Sequence, residues 1–262
     1  MTDATDLLPG LEERVFSYRG VRIRAFTGGE GPPLLLVHGY GGAAWNFTEM
    51  APLLAGRRLL IPDLPGHSGS SPLPASSSLR AYADVLGAFC DAEGVSKTDV
   101  FGHSLGGAVA LRLAERRPEL VRRLVLLDPA LRLQPENAFR LAELERADDG
   151  SWPPQVRGRL FHAPPELLVE EQADGNSRSQ AAVVALFGEL ARPSPRFPHV
   201  PTLLVLGRDE SVVGPRRRAL YAEALGPLLE TVVVPGGHTV LWDAFEETAA
   251  AVSGWLARPT PA

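Results

Sequence analysis

Cysteine is nearly absent from the 262-residue chain, in which Cys90 is the only one. A single thiol cannot form an internal disulfide, and no cysteine cluster has the spacing of a zinc site. A domain of this length buries roughly three quarters of its unfolded surface, so it folds without crosslinks or a structural metal. We therefore predict a chain that needs no disulfide framework and no metal.

An excess of positive charge is missing as well. Lysine and arginine number 26 against 31 acidic residues, which gives a net charge of −5 and a pI of about 5.7. This balance excludes a broad attraction to nucleic acid or to anionic membranes. The apolar runs are too short to cross a bilayer, and residues 1–10 lack the basic patch of a secretory signal. We expect a cytoplasmic monomer or homodimer without nucleic-acid or membrane partners.

Short apolar runs that end in turn residues recur along the chain and are typical of strands buried on both faces of a parallel sheet. Between several of them lie segments with helical spacing, which predicts an α/β fold with helices on both faces of a mostly parallel sheet. The predicted strands are 12–18, 21–26, 34–37, 59–62, 99–101, 124–127, 203–206 and 231–234, and the predicted helices are 79–92, 106–117 and 245–256.

Residues 131–199 interrupt this alternation. They show helical pieces divided by proline pairs and no strand pattern, and they are too numerous for a structureless loop in a compact domain. We predict a small helical cap at 131–199, inserted into a core formed by residues 1–130 and 200–262.

Gly102-His103-Ser104-Leu105-Gly106 matches the pattern Gly-x-Ser-x-Gly, with a predicted strand before it and a predicted helix after it. A serine at such a tight turn has a strained backbone, and glycines two residues away remove the collisions that side chains would cause. The turn also directs the positive end of the helix at the hydroxyl, where it stabilises an oxyanion. Ser104 is therefore the predicted nucleophile.

A serine hydroxyl needs a general base at neutral pH, and His238 is the best placed of the six histidines. It follows the last predicted strand in Pro235-Gly236-Gly237-His238, so it lies at the same sheet edge as Ser104. His103 is interpreted as a packed neighbour of the nucleophile, and His38 as a residue that orders its own loop. A carboxylate that orients His238 is expected in a loop between the two, where the segment 207–210 offers Asp209 and Glu210.

These motifs resemble the α/β-hydrolase fold superfamily, in its capped esterase and C–C hydrolase-like branch. The resemblance runs through nearly the whole chain, from His38-Gly39 and the segment 63–68 to the elbow at Ser104 and the end at His238. It implies an oxyanion hole formed by the backbone N–H groups of Tyr40 and Leu105.

The resemblance leaves open which carboxylate orients His238. The usual position, three residues after the glycine, is Glu210, whereas the usual residue type is aspartate, which favours Asp209 one position earlier. Asp209 is our first choice. Asp128, after an earlier strand, is a third option because some relatives place the acid there, although we interpret it as a cap at the end of the strand.

The predicted reaction is hydrolysis of a carboxylic ester through an acyl-enzyme, without a cofactor. Trp45, Phe161 and Trp242 are candidate substrate-binding residues, which indicates a small substrate with an apolar portion. The same triad would also serve a C–C bond hydrolase of a diketone-type substrate, a lactonase, a thioesterase or a perhydrolase. A ligand-binding receptor on a hydrolase scaffold is the alternative from outside the enzymes.

Overall fold

The computed structural model describes residues 8–74, 78–130, 197–209 and 213–259. In these ranges eight strands form one sheet in the order β1-β2-β4-β3-β5-β6-β7-β8. β2 is antiparallel to both of its neighbours, and all pairs from β4 to β8 are parallel. The strands are β1 (Glu12–Tyr18), β2 (Val21–Gly28), β3 (Pro33–Val37), β4 (Arg58–Pro62), β5 (Thr98–His103), β6 (Val121–Leu127), β7 (Thr202–Gly207) and β8 (Leu229–Val234).

Helices cover both faces of the sheet. Because side chains alternate along a strand, Leu35 and Val37 of β3 face one hydrophobic cluster while Leu34 and Leu36 face the other. Helices α1, α2 and α3 pack in the first cluster, and α4 and α5 pack in the second. The helices are α1 (Leu79–Ala92), α2 (Leu105–Arg116), α3 (Pro215–Leu225), α4 (Val240–Asp243) and α5 (Phe245–Ala257), with 3-10 turns at Ala44–Phe47, Ala51–Leu54 and Gly226–Leu228.

The predicted fold class is confirmed, and the elements differ from their predicted bounds by a few residues. The turn between the antiparallel strands β1 and β2 is formed by Arg19 and Gly20, whose φ angles are 49° and 82°. β8 differs from the expectation of a strand buried on both faces, because it is an edge strand with alternating exposure. Ser78 occupies the N-cap position of α1 without making a side-chain capping bond.

The predicted cap at 131–199 lies outside the described residues except for its last three. Phe197, Pro198 and His199 lead into β7 without regular secondary structure. The chain enters this region after β6 and returns at β7, its neighbour in the sheet. Both boundaries of the predicted insertion therefore fall between adjacent core strands.

The described helices include none that is long and apolar enough to span a bilayer.

Candidate active site

Ser104 lies at a sharp turn between β5 and α2. Its backbone has φ 51° and ψ −116°, a conformation that costs a non-glycine residue energy and is held by the structure around it. The Ser104 N–H donates to the Leu127 carbonyl, and the Ser104 carbonyl accepts from the Ala108 and Ala130 N–H groups. The turn predicted from the Gly-x-Ser-x-Gly pattern is thus present, and both of its peptide groups are fixed.

The two glycines of the pattern are required by backbone contacts. A Cβ atom added to Gly102 would overlap with the Gly106 carbonyl, and one added to Gly106 would overlap with the Val37 carbonyl of β3. The collisions therefore involve the opposite side of the turn and the neighbouring strand.

His238 reaches Ser104 from the loop after β8. Its Nε2 lies 2.8 Å from the Ser104 Oγ, although 134 residues separate the two in sequence. The Ser104 side chain is buried and His238 is partly buried, so the contact is largely screened from water. The predicted pairing of Ser104 with His238 is present in the structure.

The carboxylate in contact with His238 is Asp128. Its Oδ2 lies 2.7 Å from the His238 Nδ1, and its Oδ1 accepts a hydrogen bond from the Val213 N–H at 3.2 Å. The Asp128 side chain is fully buried, and its φ of 38° turns the chain sharply after β6. A neutral His238 that donates from Nδ1 to Asp128 presents Nε2 as the acceptor for the Ser104 hydroxyl.

The preference for Asp209 as the partner of His238 is corrected by this geometry. Asp209 instead holds the loop before the histidine, because its N–H donates to the Gly236 carbonyl and its Oδ2 accepts from the Gly236 N–H at 3.2 Å. The competing candidate, Glu210, lies outside the described residues. The contact at His238 belongs to the third option, Asp128.

Strand register explains why Asp128 is the one that reaches the site. β5 and β6 are adjacent and parallel, and their register pairs His103 with Leu127, so Ser104 and Asp128 are the next residues along. Neighbouring strands are about 4.8 Å apart, which places the serine and the aspartate side by side. Asp209 follows β7, one strand farther from β5. The position directly after the strand next to the elbow was the sequence signal for the acid.

Residues 235–239, which carry His238 and form the histidine loop, are held by a second carboxylate and by a glycine contact. Asp243 Oδ2 accepts from the Gly237 N–H at 3.0 Å and from the Thr239 hydroxyl at 2.9 Å. Gly207, the last residue of β7, leaves room for the loop, because a Cβ there would overlap with the Gly237 carbonyl. The loop thus sits directly on the end of β7.

His103 does more than pack beside Ser104, because it also forms a hydrogen bond to the histidine loop. Its Nε2 donates to the His238 carbonyl at 3.1 Å, and the two rings are tilted against each other with centroids 5.2 Å apart. Burial lowers the pKa of His103 to about 3, with a further contribution from the charge of His238. His103 is therefore neutral at ordinary pH and acts as a fixed donor.

The loop after β3 packs against the elbow and carries the first predicted oxyanion donor, Tyr40. A Cβ added to Gly39 would lie 3.2 Å from the Ser104 Cβ, so the peptide that leads to Tyr40 passes beside Ser104. His38 holds this loop, with Nδ1 donating to the Gly39 carbonyl at 2.7 Å and Nε2 accepting from the Leu64 N–H at 2.8 Å. The prediction that His38 orders its own loop is confirmed.

Leu105, the second predicted oxyanion donor, is the first residue of α2. The first N–H groups of a helix have no partner within the helix, and its N-terminus carries about half a positive charge. The Leu105 N–H therefore lies at the positive helix end beside Ser104.

The candidate substrate residues have different positions. Trp242, in α4, is half-buried and stands edge-on to the His103 ring with centroids 5.9 Å apart, so it lies next to the histidine loop. Trp45 is buried in the 3-10 turn that follows the Tyr40 loop. Phe161 lies outside the described residues.

Comparisons with known proteins agree with this fold. The chain is similar to Lipase 3 of Moraxella sp. (strain TA144), with 27% identity over 248 residues that cover 84% of this chain and 75% of the lipase. It is 38% identical over 112 residues to the dihydrolipoyllysine-residue acetyltransferase component of the acetoin cleaving system of Cupriavidus necator, which covers 42% of this chain but only 30% of that protein. The crystal structure of a carboxylesterase from Bacillus subtilis superimposes with a TM-score of 0.75 at 21% identity and covers 97% of this chain and 94% of the esterase.

A family match covers strands β3 to β6 and the elbow. Residues 32–169, more than half of the chain, match the family described as alpha/beta hydrolase fold. The match includes Ser104 and Asp128. This chain therefore belongs to the alpha/beta hydrolase fold family.

Proposed function

We propose that the protein is a serine esterase that hydrolyses carboxylic esters through an acyl-enzyme on Ser104. One observation carries the proposal. The ring of His238 lies between the Ser104 hydroxyl, at 2.8 Å from Nε2, and the Asp128 carboxylate, at 2.7 Å from Nδ1. This is the relation between nucleophile, base and orienting acid that acyl transfer by serine requires.

In the first step His238 takes the proton of Ser104 as the hydroxyl oxygen attacks the ester carbonyl. The imidazolium that forms is stabilised by Asp128, which remains ionised and keeps the ring in the productive tautomer. Collapse of the tetrahedral intermediate breaks the bond to the alkoxy group, and His238 gives its proton to the leaving alcohol. The products of this half-reaction are the free alcohol and an ester of Ser104.

The oxyanion of each intermediate would be bound by the backbone N–H groups of Leu105 and Tyr40. The role of Leu105 is supported by its position as the first residue of α2. The role of Tyr40 is supported by the packing of its loop against the elbow at Gly39. Each such donor stabilises the transition state by about 3 kcal/mol. The pair would thus contribute to catalysis on the scale of the triad itself.

In the second step water takes the place of the alcohol. His238 removes a proton from the water, which attacks the acyl-Ser104 carbonyl, and the proton then returns to the Ser104 oxygen as the carboxylic acid leaves. The full cycle consumes one ester and one water and yields one acid and one alcohol. The chemistry is complete with this chain's own residues.

The substrate is proposed to be a small ester with an apolar portion, placed near the indole of Trp242. Support comes from the position of that ring beside the histidine loop and from the lipase- and esterase-like relatives. A serine at the elbow favours hydrolysis of an acyl group over halide displacement or epoxide opening, for which resembling families use aspartate. The cytoplasmic location predicted from the sequence stays a prediction.

The test is hydrolysis of short p-nitrophenyl esters by the wild type and by Ser104→Ala. The substitution should lower kcat on the order of 10⁴-fold or more, because the triad residues act as a unit. Ser253→Ala, on the outer part of α5, is the matched control and should retain full activity. A folded wild type that hydrolyses none of these esters would favour the ligand-binding receptor, and an active Ser104→Ala would exclude Ser104 as the nucleophile.

A further inference from the structure

A cluster of arginines lies at the edge of the sheet opposite the active site. Asp99 is near the start of β5, whereas Ser104 follows its end, so five residues at 3.3 Å each place the two about 16 Å apart along the strand. Arg122 and Arg123, near the start of β6, and Arg57, just before β4, surround Asp99. Asp99 and these three arginines form the basal arginine cluster, which takes no part in the proposed reaction.

Three guanidinium groups of the basal arginine cluster share one carboxylate. Asp99 Oδ1 accepts from Arg122 Nε at 2.7 Å and from Arg123 Nε at 3.2 Å, and Oδ2 accepts from Arg123 Nη2 and Arg57 Nη1, each at 2.7 Å. The Asp99 side chain has no exposed surface. One negative charge thus faces three positive charges.

The C-terminal end of α5 neutralises only part of the remaining charge. The Leu256 carbonyl accepts from Arg57 Nη2 at 2.5 Å and from Arg123 Nη2 at 3.0 Å, and the Arg258 carbonyl accepts from Arg123 Nη1 at 2.9 Å. A helix C-terminus carries about half a negative charge, so roughly one and a half positive charges remain. The Arg258 side chain pairs with Glu230 and adds no net charge.

Arg122 presents unused donors to solvent. Arg123 uses all three of its side-chain nitrogens in hydrogen bonds within the cluster. Arg122 uses Nε alone, and within the described ranges the two Nη groups of Arg122 have no hydrogen-bond partner. Its side chain is 23% exposed. The planar fork of a guanidinium matches the two oxygens of a carboxylate or a phosphate.

A cleft of about 540 Å³ opens over these donors. Arg57, Arg122 and Arg123 line it together with apolar residues that include Pro32, Leu53 and Leu54. Leu53 is 52% exposed and belongs to the few large apolar side chains that the described surface leaves open to water. Charged and apolar residues in one cleft favour a ligand that has both a charged and an apolar part.

We propose that this cleft binds an amphiphilic anion, with a carboxylate or phosphate head on the Arg122 fork and an apolar stem against Leu53. The net positive charge of the cluster attracts the head, and contact with the apolar stem removes the exposed surface of Leu53 from water, which stabilises the complex. The site is separate from the proposed esterase centre, and its occupancy does not depend on that activity.

The test is calorimetric titration of the wild type, Arg122→Gln, Arg122→Lys and Leu53→Asp with octanoate and octyl phosphate, with octanol as the uncharged probe. The wild type should bind the two anions saturably and octanol at least tenfold more weakly. Arg122→Gln should weaken anion binding about tenfold or more, the effect of losing one charge-assisted pair. The anion affinity of Arg122→Lys should lie between those of the wild type and Arg122→Gln, because lysine keeps the charge but lacks the planar fork of the guanidinium. A preference for octyl phosphate or for octanoate identifies the head group.

Arg216→Gln, an exposed change that removes the same charge elsewhere, is the control and should bind as the wild type does. Leu53→Asp alters only an exposed side chain and so keeps the test valid if a change at Arg122 prevents folding; it should weaken binding of both anions. Unchanged affinity in Arg122→Gln or in Leu53→Asp, equal binding of octanol, or no saturable binding overturns the proposal. Ester hydrolysis by Arg122→Gln should equal that of the wild type, which separates failure of this site from failure of the esterase.

Discussion

Asp128 Oδ2 lies 2.7 Å from His238 Nδ1 across 110 residues of sequence, and the aspartate is fully buried where the contact is made. A buried carboxylate restricts the ring of its partner to one orientation and one tautomer. In that orientation the other ring nitrogen faces Ser104, so the contact at Nδ1 sets up the one at Nε2.

Asp128→Asn is expected to lower kcat for ester hydrolysis on the order of 10⁴-fold, because an amide in this place no longer favours the tautomer that accepts the Ser104 proton. Asp209→Asn, which changes an exposed hydrogen bond to the Gly236 N–H, should lower kcat less than about tenfold, since a surface interaction of this kind contributes about 1 kcal/mol. Steady-state kinetics of the two variants with the same ester compare them directly. A larger loss in Asp209→Asn would move the orienting role away from Asp128.

Gly207→Ala is expected to displace the histidine loop. The new Cβ would overlap with the Gly237 carbonyl, and Gly237 is the residue before His238. We predict a loss of kcat of about 100-fold, the scale associated with a displacement of about 1 Å in an active site.

Gly254→Ala is the matched control, because a Cβ there meets no atom within 4 Å. In the interior of α5 it should raise the free energy of unfolding by about 1 kcal/mol and leave activity unchanged. Full activity in Gly207→Ala would show that the loop tolerates movement at this contact.

The pH dependence of stability should report His103. Its pKa is lowered from 6.5 to about 3, first by burial and then by the charge of His238. Between these two pH values the unfolded chain binds a proton at this residue and the folded chain does not. Stability from this group is therefore complete above pH 6.5 and is lost as the pH falls toward 3, with a slope of up to about 1.4 kcal/mol per pH unit.

His103→Gln removes that contribution, so its free energy of unfolding should depend less steeply on pH in this window. Urea unfolding followed by circular dichroism across the window measures the slope, and His199→Gln, at an exposed position, should leave the slope as it is. Parallel profiles for the wild type and His103→Gln would contradict the assignment of a neutral, buried His103.

Asp99→Asn is expected to reduce the free energy of unfolding by about 3–5 kcal/mol, because it leaves the buried Arg123 without its counter-ion. Asp91→Asn breaks the exposed pair with Arg117 and should cost about 1 kcal/mol or less. Chemical denaturation at neutral pH compares the two.

The difference in the free energy of unfolding between the wild type and Asp99→Asn should become smaller in acid. Burial alone would raise the pKa of Asp99, but hydrogen bonds from Arg122 and Arg123 outweigh it and lower the pKa below 3.8. The stabilisation is therefore present above pH 3.8 and disappears as the pH falls below that value and the carboxylate is protonated. A gap that stays constant into strong acid would show that the charge of Asp99 is not what stabilises the cluster.

Much of this architecture could be predicted from the sequence, because local patterns carry it. Apolar runs with terminal turn residues locate strands β3 to β8, and the glycines around Ser104 locate the elbow through steric requirements that act within a few residues. His238 was identified for a similar reason, since its two preceding glycines mark a close loop at the right edge of the sheet.

The acid could not be chosen in the same way, because the choice depends on strand order. Asp128 and Asp209 both follow strands at the same sheet edge, and only the order of β5, β6 and β7 shows which one stands beside Ser104. The basal arginine cluster was missed for the same reason. Arg57 and Arg122 are far apart in sequence, and only the parallel pairing of the sheet brings their side chains to the single carboxylate of Asp99.

The most direct test of the central claim is covalent labelling with a fluorophosphonate probe, followed by intact-mass analysis and peptide mapping. The probe reacts with a serine that an adjacent base has activated. The triad geometry predicts one adduct per folded chain, on Ser104, with labelling lost in Ser104→Ala and strongly slowed in His238→Gln. A folded wild type that remains unlabelled, or that carries the adduct on another serine, would contradict the assignment of Ser104, His238 and Asp128 as the catalytic group.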